Sequence, residues 1–297
     1  MIRVKVPATS ANMGPGFDSI GIALNLYNEF LFEKTENRLE FFGIPEEFCN
    51  ENNIIYKAVK YCFDRANEPI CNLRITEKNQ FVPISRGLGS SSTCIIAGLI
   101  GANRMLNNRF SIDDLLEMAV NIEGHPDNVA PALLGGMVVS ASSNNKTFYD
   151  KVNVKEGLKF VSIIPNFRLE TEKARKVLPK EIPLKSGVFN ESRAALLVAA
   201  MANGKFDLLK TACDDSFHQK FRASLIKGFD EVYNKAYDLN AYACYLSGAG
   251  PTIMAIISED NKDFTKNMIE FLNKMNFKWT VKELMIDLNG AQVEGDF

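Results

Sequence analysis

The chain has 297 residues, 34 Lys and Arg against 36 Asp and Glu, and a formal net charge of −2. At 46% hydrophobic and 24% charged it can bury a sizeable core, which excludes wholesale disorder. The balanced charge argues against a general nucleic-acid or polyanion binder, but leaves room for a small anionic ligand held by a few placed groups. The length fits two modest domains or one large α/β unit.

Cys49, Cys62, Cys71, Cys94, Cys213 and Cys244 are scattered with no C-x-x-C, and read as reduced thiols of an intracellular protein. Only two histidines occur, which argues against a multi-His metal site. The first ten residues alternate like a strand and lack the apolar run of a signal peptide. The longest apolar stretches, 94–102 and 194–202, are about half the roughly 20 residues a membrane helix needs. A cytoplasmic protein with no membrane partner is expected.

In chain order, Ile2, Val4 and Val6 alternate with Arg3 and Lys5, a half-buried strand ending at Pro7. A second extended region covers 21–33. Residues 53–66 carry a helical stripe through Ile55, Ala58, Val59, Cys62 and Phe63. Cys71, Leu73 and Ile75 alternate again, and a glycine–serine loop at 87–92 opens a helix to about Leu106. Ser111-Ile112-Asp113-Asp114 resembles a capping box for the next helix, and Gly135-Gly136 precedes a strand at 137–141. The polar tract 141–155 predicts a hairpin and a domain seam. Beyond it come a strand at 160–164, then helices near 171–178, 189–203, 206–213 and 224–238. Strands at 242–246 and 252–258 flank a glycine turn, followed by a helix near 261–275 and a strand at 279–286. Strands interleaved with helices in both halves predict an α+β chain of two domains.

Three glycine-rich stretches carry candidate chemistry. The strongest is Pro83-Ile84-Ser85-Arg86-Gly87-Leu88-Gly89-Ser90-Ser91-Ser92-Thr93. Its glycines let the backbone approach a ligand, and the following helix offers unpaired N–H groups and a positive dipole end. It is neither a Walker A loop nor a dinucleotide fingerprint. Phosphate binding and a tight turn with a serine N-cap both fit it. The second stretch, 7–18, is small and polar, has little reason to be helix or strand, and could present Asn12 and Asp18 from a loop. The third, 247–252, reads as a hairpin turn whose small residues, Gly248 among them, would let a ligand or loop pack closely.

Glu123 closes a helix, where a carboxylate faces the negative dipole end, and this suggests a compensating cation such as Mg²⁺. His125 fits either a structural or a catalytic role. Thr171 and Arg175 are four apart, as are His218 and Arg222, so each pair would share a helix face.

Together these stretches resemble the GHMP kinase superfamily, and within it the branch that phosphorylates L-homoserine. The superfamily pattern runs as an N-terminal segment, a P-x-x-x-G-L-G-S-S phosphate loop and a late glycine turn, here 7–18, 83–93 and 247–252. Residues 123–131 (EGHPDNVAP), the Thr171 and Arg175 segment and 218–222 (HQKFR) point to that branch. The resemblance implies the GHMP kinase fold: a domain like the second domain of ribosomal protein S5 at 1–155, then a ferredoxin-like domain at 156–297. It implies ATP-dependent phosphorylation of the homoserine side-chain hydroxyl, in threonine biosynthesis, by a cytoplasmic homodimer. By the same resemblance residues 83–93 wrap the ATP phosphates, and Ser90 or Ser91 with Glu123 holds Mg²⁺. Asn12 and Asp18 take the amino and polar groups of the substrate, and Arg175 and Arg222 its carboxylate. His125, Asn128, Thr171 and Gly248 line the same pocket, with Asn128, Arg175 and Glu123 the catalytic group; Asp127 is left unassigned. The alternatives are a mevalonate-pathway or sugar kinase sharing the ATP loop, and a catalytically silent regulatory member. A serine hydrolase has no G-x-S-x-G to support it.

Overall fold

The structure, a computed structural model, describes residues 1–144 and 146–297. Ile2–Asn12 (β1) and Gly16–Lys34 (β2) form a long antiparallel pair. Contrary to the sequence pattern, β1 does not end at Pro7. The register slips between Pro7 and Ala8, a bulge that tolerates the missing N–H, and the strand continues to Asn12. The 7–18 stretch is therefore a strand end, a turn and a strand start.

Leu39–Phe42 (β3) lies parallel to Leu73–Gln80 (β4), and β4 lies antiparallel to β2. Met137–Ser143 (β5) pairs with β2, and Lys146–Val152 (β6) with β5. That hairpin was expected; its Asn145 lies outside the described residues. Four helices, Ile54–Ala66 (α1), Ser90–Met105 (α2), Ile112–Glu123 (α3) and Pro126–Leu134 (α4), share one buried cluster with the sheet through Val4, Phe32, Ile75, Val59, Leu99, Leu116 and Val129. The Ser111–Asp114 capping box forms as its spacing predicts.

The second sheet is antiparallel in the order Trp279–Leu284 (β10), Leu158–Pro165 (β7), Ile253–Ser258 (β9) and Ala243–Leu246 (β8). Thr171–Lys176 (α5), Leu184–Asn203 (α6), Leu209–Ala212 (α7), Gln219–Ala223 (α8), Phe229–Asp238 (α9) and Phe264–Leu272 (α10) complete the half. The helix expected over 224–238 begins only at Phe229, because Gly228 adopts the left-handed region at φ 82°. On β7, Val161 and Ile163 pack with α9 and α10, whereas Phe160 joins a cluster containing Ile22, Leu24 and Met137 of the first sheet. That cluster joins the two halves through apolar contact. The sheets change over between β6 and β7, where the seam was expected, but the chain end returns: Gln292–Glu294 (β11) pairs with β1. No helix among the described residues is long and apolar enough to cross a membrane.

Candidate active site

The three glycine stretches, distant in sequence, are bonded to one another. Thr9 N–H donates to Leu88 O at 3.1 Å, Gly248 N–H to Ala11 O at 3.0 Å and Thr252 N–H to Arg86 O at 3.2 Å. Ser247 Oγ donates to Gly87 O at 2.6 Å and lies 2.7 Å from Ser10 Oγ; both serines are fully buried. Two glycines of the middle stretch are required sterically. A Cβ on Gly87, at φ +76°, would come within 2.3 Å of Ser247 O. One on Gly89, at φ +70°, would come within 2.0 Å of Thr9 Oγ1.

Gly89 also caps α2, and it brings no side-chain oxygen to the first turn. The serine cap is thus not made, and the leading amides of α2 stay free for an anion. A cavity of about 400 Å³ opens in front of them. Residues 84–87 and 89–91 line it, while Leu88, Ser92 and Thr93 are fully buried behind the loop and Pro83 stays off the lining. Asn12, Asp18, Glu123, His125, Asn128, Thr171, Arg175, Arg222 and Gly248 all line the same cavity.

Glu123 ends α3 and accepts from Ser91 Oγ at 3.0 Å and Ser92 Oγ at 3.3 Å. Burial pushes its carboxyl upward, which the His125 charge and the two hydroxyls only partly oppose. Among the described residues it forms no ion pair within 4.0 Å. A half-buried carboxylate flanked by hydroxyls and lacking a cation is an oxygen donor set suited to a hard divalent ion. Ser91, not Ser90, has its hydroxyl on this carboxylate.

Asn128 lines the cavity and is oriented by Thr9, whose hydroxyl donates to Asn128 Oδ1 at 2.8 Å. His125 is the N-cap residue of α4 and makes a short hydrogen bond through Nδ1 to Asp127 Oδ1. Burial pulls its pKa down, but the Asp127 hydrogen bond and charge, with Glu123 and Asp18 adding, outweigh it and the net shift is upward. Asp18, His125 and Asp127 present ligating atoms within 4.8 Å of one another.

Arg175 and Asp18 form a bidentate pair, Nη2 to Oδ1 at 2.7 Å and Nη1 to Oδ2 at 3.1 Å. Arg222 is 2% exposed, donating from Nε to Ala174 O at 3.2 Å and from Nη1 to Gly248 O at 3.1 Å. Its Nη1 also meets His218 Nδ1 at 3.3 Å, and His218 Nε2 donates to Gly14 O at 2.8 Å. His218 is therefore neutral, with Nδ1 as acceptor, and burial lowers its pKa accordingly. Burial, with Arg175 nearby, brings Arg222 down to about 10, so it stays charged at neutral pH.

The sequence reading missed the cavity's far end. Ile44, Phe48 and Ile54, which follow β3, line it with Glu77 and Gln80 of β4, a strand whose pattern marks no site. Nothing local flags these residues; the fold alone assembles them. Glu77 is buried, with Oε2 accepting from Gln80 Nε2 at 3.2 Å and Oε1 without a partner among the described residues. Burial pushes its carboxyl up to about 7 from the ordinary 4.5. An acid whose pKa rises on folding stabilises the fold below its unfolded value and loses that contribution as pH climbs through the folded one. The Tm of the parent relative to Glu77→Gln should therefore fall between pH 4.5 and 7 and level off above. A difference flat with pH would contradict the buried placement.

A mixed α/β chain with a glycine loop feeding a helix N-terminus, beside a carboxylate flanked by hydroxyls, fits the small-molecule kinase class. The family model described as GHMP kinases N terminal domain matches residues 53–136, and that described as GHMP kinases C terminal matches 197–274. A homoserine kinase of Clostridium beijerinckii is 64% identical, over 99% of this chain and 98% of that one. One of Clostridium botulinum, strain Eklund 17B, is 58% identical over the whole of both. The crystal structure of homoserine kinase from Cytophaga hutchinsonii superposes with a TM-score of 0.87 at 29% identity, covering 99% of this chain and 97% of that chain. The chain belongs to the homoserine kinase family of GHMP kinases. A mevalonate kinase of L. major, TM-score 0.71 and 14% identical over 95% of this chain and 94% of that one, shares the fold.

Proposed function

We propose that this chain transfers the γ-phosphoryl group of ATP to the side-chain hydroxyl of L-homoserine by direct in-line displacement. The observation that carries the residue roles is the single cavity in which a phosphate loop, a cation-ready carboxylate, two arginines and an acidic cluster meet. The leading amides of α2 and the 84–91 backbone receive the triphosphate, and the apolar end at Ile44, Phe48 and Ile54 receives the base. Glu123 and Ser91 would hold Mg²⁺, which when bound supplies charge against the β- and γ-phosphates.

Homoserine is a zwitterion with a reactive hydroxyl two carbons beyond its Cα. Asp18, supported by Asn12 and the His125–Asp127 dyad, receives its ammonium. Arg222 and Arg175 receive the carboxylate, for which the guanidinium fork is suited. Thr171 borders this subsite, while the Gly248 carbonyl anchors Asn12 at 3.0 Å and Arg222 at 3.1 Å. Asn128 accepts from Thr9 through its oxygen and has amide N–H groups to donate to the acceptor hydroxyl, but a neutral amide cannot take its proton. Its role is alignment, which a loose phosphoryl transition state rewards because the nucleophile needs little deprotonation.

The domain division at 155/156, cytoplasmic residence and a homodimeric state complete the proposal; sedimentation at assay concentration checks the last. For the site itself, Arg175→Ala should raise the KM for homoserine roughly 10–100-fold and leave that for ATP within about twofold. Equal rises in both would contradict the assignment.

A further inference from the structure

Asn28 is a polar side chain in a row that is otherwise apolar. In the β1–β2 pair Ile2 lies opposite Phe32, Val4 opposite Phe30 and Val6 opposite Asn28. All six are fully buried, and the other five belong to the cluster shared with α2. Burying an amide there costs free energy unless its two ends are bonded. Both are: Oδ1 accepts from Val82 N–H at 2.9 Å, and Nδ2 donates to Thr93 Oγ1 at 3.2 Å. Thr93 Oγ1 in turn donates to Ser90 O at 2.8 Å. Val82 and Thr93 stand at the two ends of the phosphate loop. The chain leaves the sheet after Gln80, whose partner on β2 is Asn28 itself, and α2 begins at Ser90.

Between those ends the loop is held open. φ is positive at Ser85, Gly87 and Gly89 but not at Arg86 or Leu88, an alternation that gathers successive amides into an anion-binding concavity. The Arg86, Gly87 and Leu88 carbonyls are each tied to Thr252, Ser247 and Thr9 behind the loop, and a trans peptide points its N–H opposite to its C=O. The amides of Gly87, Leu88 and Gly89 therefore face away from those ties, and none has a partner among the described residues. We propose that Asn28 is a positioning residue for the phosphate loop, setting the affinity for ATP by holding Val82 and the first turn of α2 at a fixed separation. This rests on the reading that the 84–91 backbone receives the triphosphate. Without the brace the open amides can close onto the protein, and a polyphosphate must reopen them before it binds. Neither Asn28 nor Thr93 lines the cavity, so neither acts by contact with the ligand.

The test compares the parent with Thr93→Val, which keeps the shape but not the hydroxyl, Thr93→Ser, which keeps the hydroxyl, Asn28→Leu, and the Asn28→Leu/Thr93→Val double variant. Calorimetry reads the binding of ADP and of tripolyphosphate, which has no base, and steady-state kinetics read the KM for ATP and for homoserine. Thr93→Val should weaken ADP and tripolyphosphate by a similar factor, roughly tenfold, and raise the KM for ATP likewise, with that for homoserine within about twofold. Thr93→Ser should bind both ligands as the parent does, and the double variant should be no weaker than Asn28→Leu alone, the mark of one shared brace. Parent-like affinity of folded Thr93→Val for tripolyphosphate, or an equal rise in both KM values, would refute the brace and leave the phosphate site standing. If ADP does not displace tripolyphosphate from the parent, the reading of the loop as the triphosphate's receptor fails, and the brace with it.

Discussion

Glu123→Gln is expected to lower kcat about 100-fold or more while leaving the fold intact. The change keeps the size and the hydrogen-bonding reach toward Ser91 and Ser92 but removes the charge that a divalent ion needs. It also relieves the burial of an uncompensated carboxylate, so the metal-free variant should melt no lower than the parent. A residual rate that responds to raised Mg²⁺ concentration would place the defect in metal binding. Full activity would remove Glu123 from the reaction. The combination of lost turnover with unimpaired stability separates this reading from a merely structural role for the Glu123–Ser91 contact.

Arg222→Met should be as damaging by a different route. The methionine preserves bulk and apolar contact with the Phe17 ring, but removes the donor that Arg222 gives to the Ala174 carbonyl and to His218 Nδ1, and leaves the Gly248 carbonyl with Asn12 alone. Truncating a buried, hydrogen-bonded charge costs about 2–5 kcal/mol. At one decade per 1.4 kcal/mol that corresponds to a fall of roughly 30- to several-thousand-fold in kcat/KM for homoserine. The KM for ATP should stay near the parent value, because among the described residues Arg222 makes its hydrogen bonds to Ala174, His218 and Gly248 and none to the phosphate loop. Loss of ATP affinity in equal measure would show a collapse of the cavity instead of a lost carboxylate contact.

Most of the site was legible because its chemistry is written locally. Gly87 and Gly89 need positive φ, the serines follow them directly, and Glu123 stands at a helix end where a carboxylate is out of place. Arg175 and Arg222 were legible through resemblance; as residues alone they read only as members of two pairs that each share a helix face, yet Arg222 is one of the largest fully buried side chains. What could not be read are relations across the chain. Asp18 and Arg175 are 157 residues apart and Thr9 and Asn128 are 119 apart, and no spacing rule announces either bond.

The fold shows the same division. Helices with a clean apolar stripe, such as α1, and the capped α3 were evident. α4 was not, because Pro131 inside it argues against helix, although Pro126 at its start favours one. The strand through Pro7 was cut short for a related reason: proline is costly in a regular ladder, and the bulge that rescues it depends on the partner strand. The return of β11 to the first sheet leaves no mark in a three-residue exposed segment.

The most direct test of the central claim is ADP release with Mg²⁺ and ATP across L-homoserine, L-serine, L-threonine, mevalonate and a hexose, with the product followed by phosphorus NMR. L-homoserine is expected to give by far the highest kcat/KM, with the phosphoryl group on its side-chain oxygen. Turnover of mevalonate or the sugar without turnover of homoserine would contradict the account.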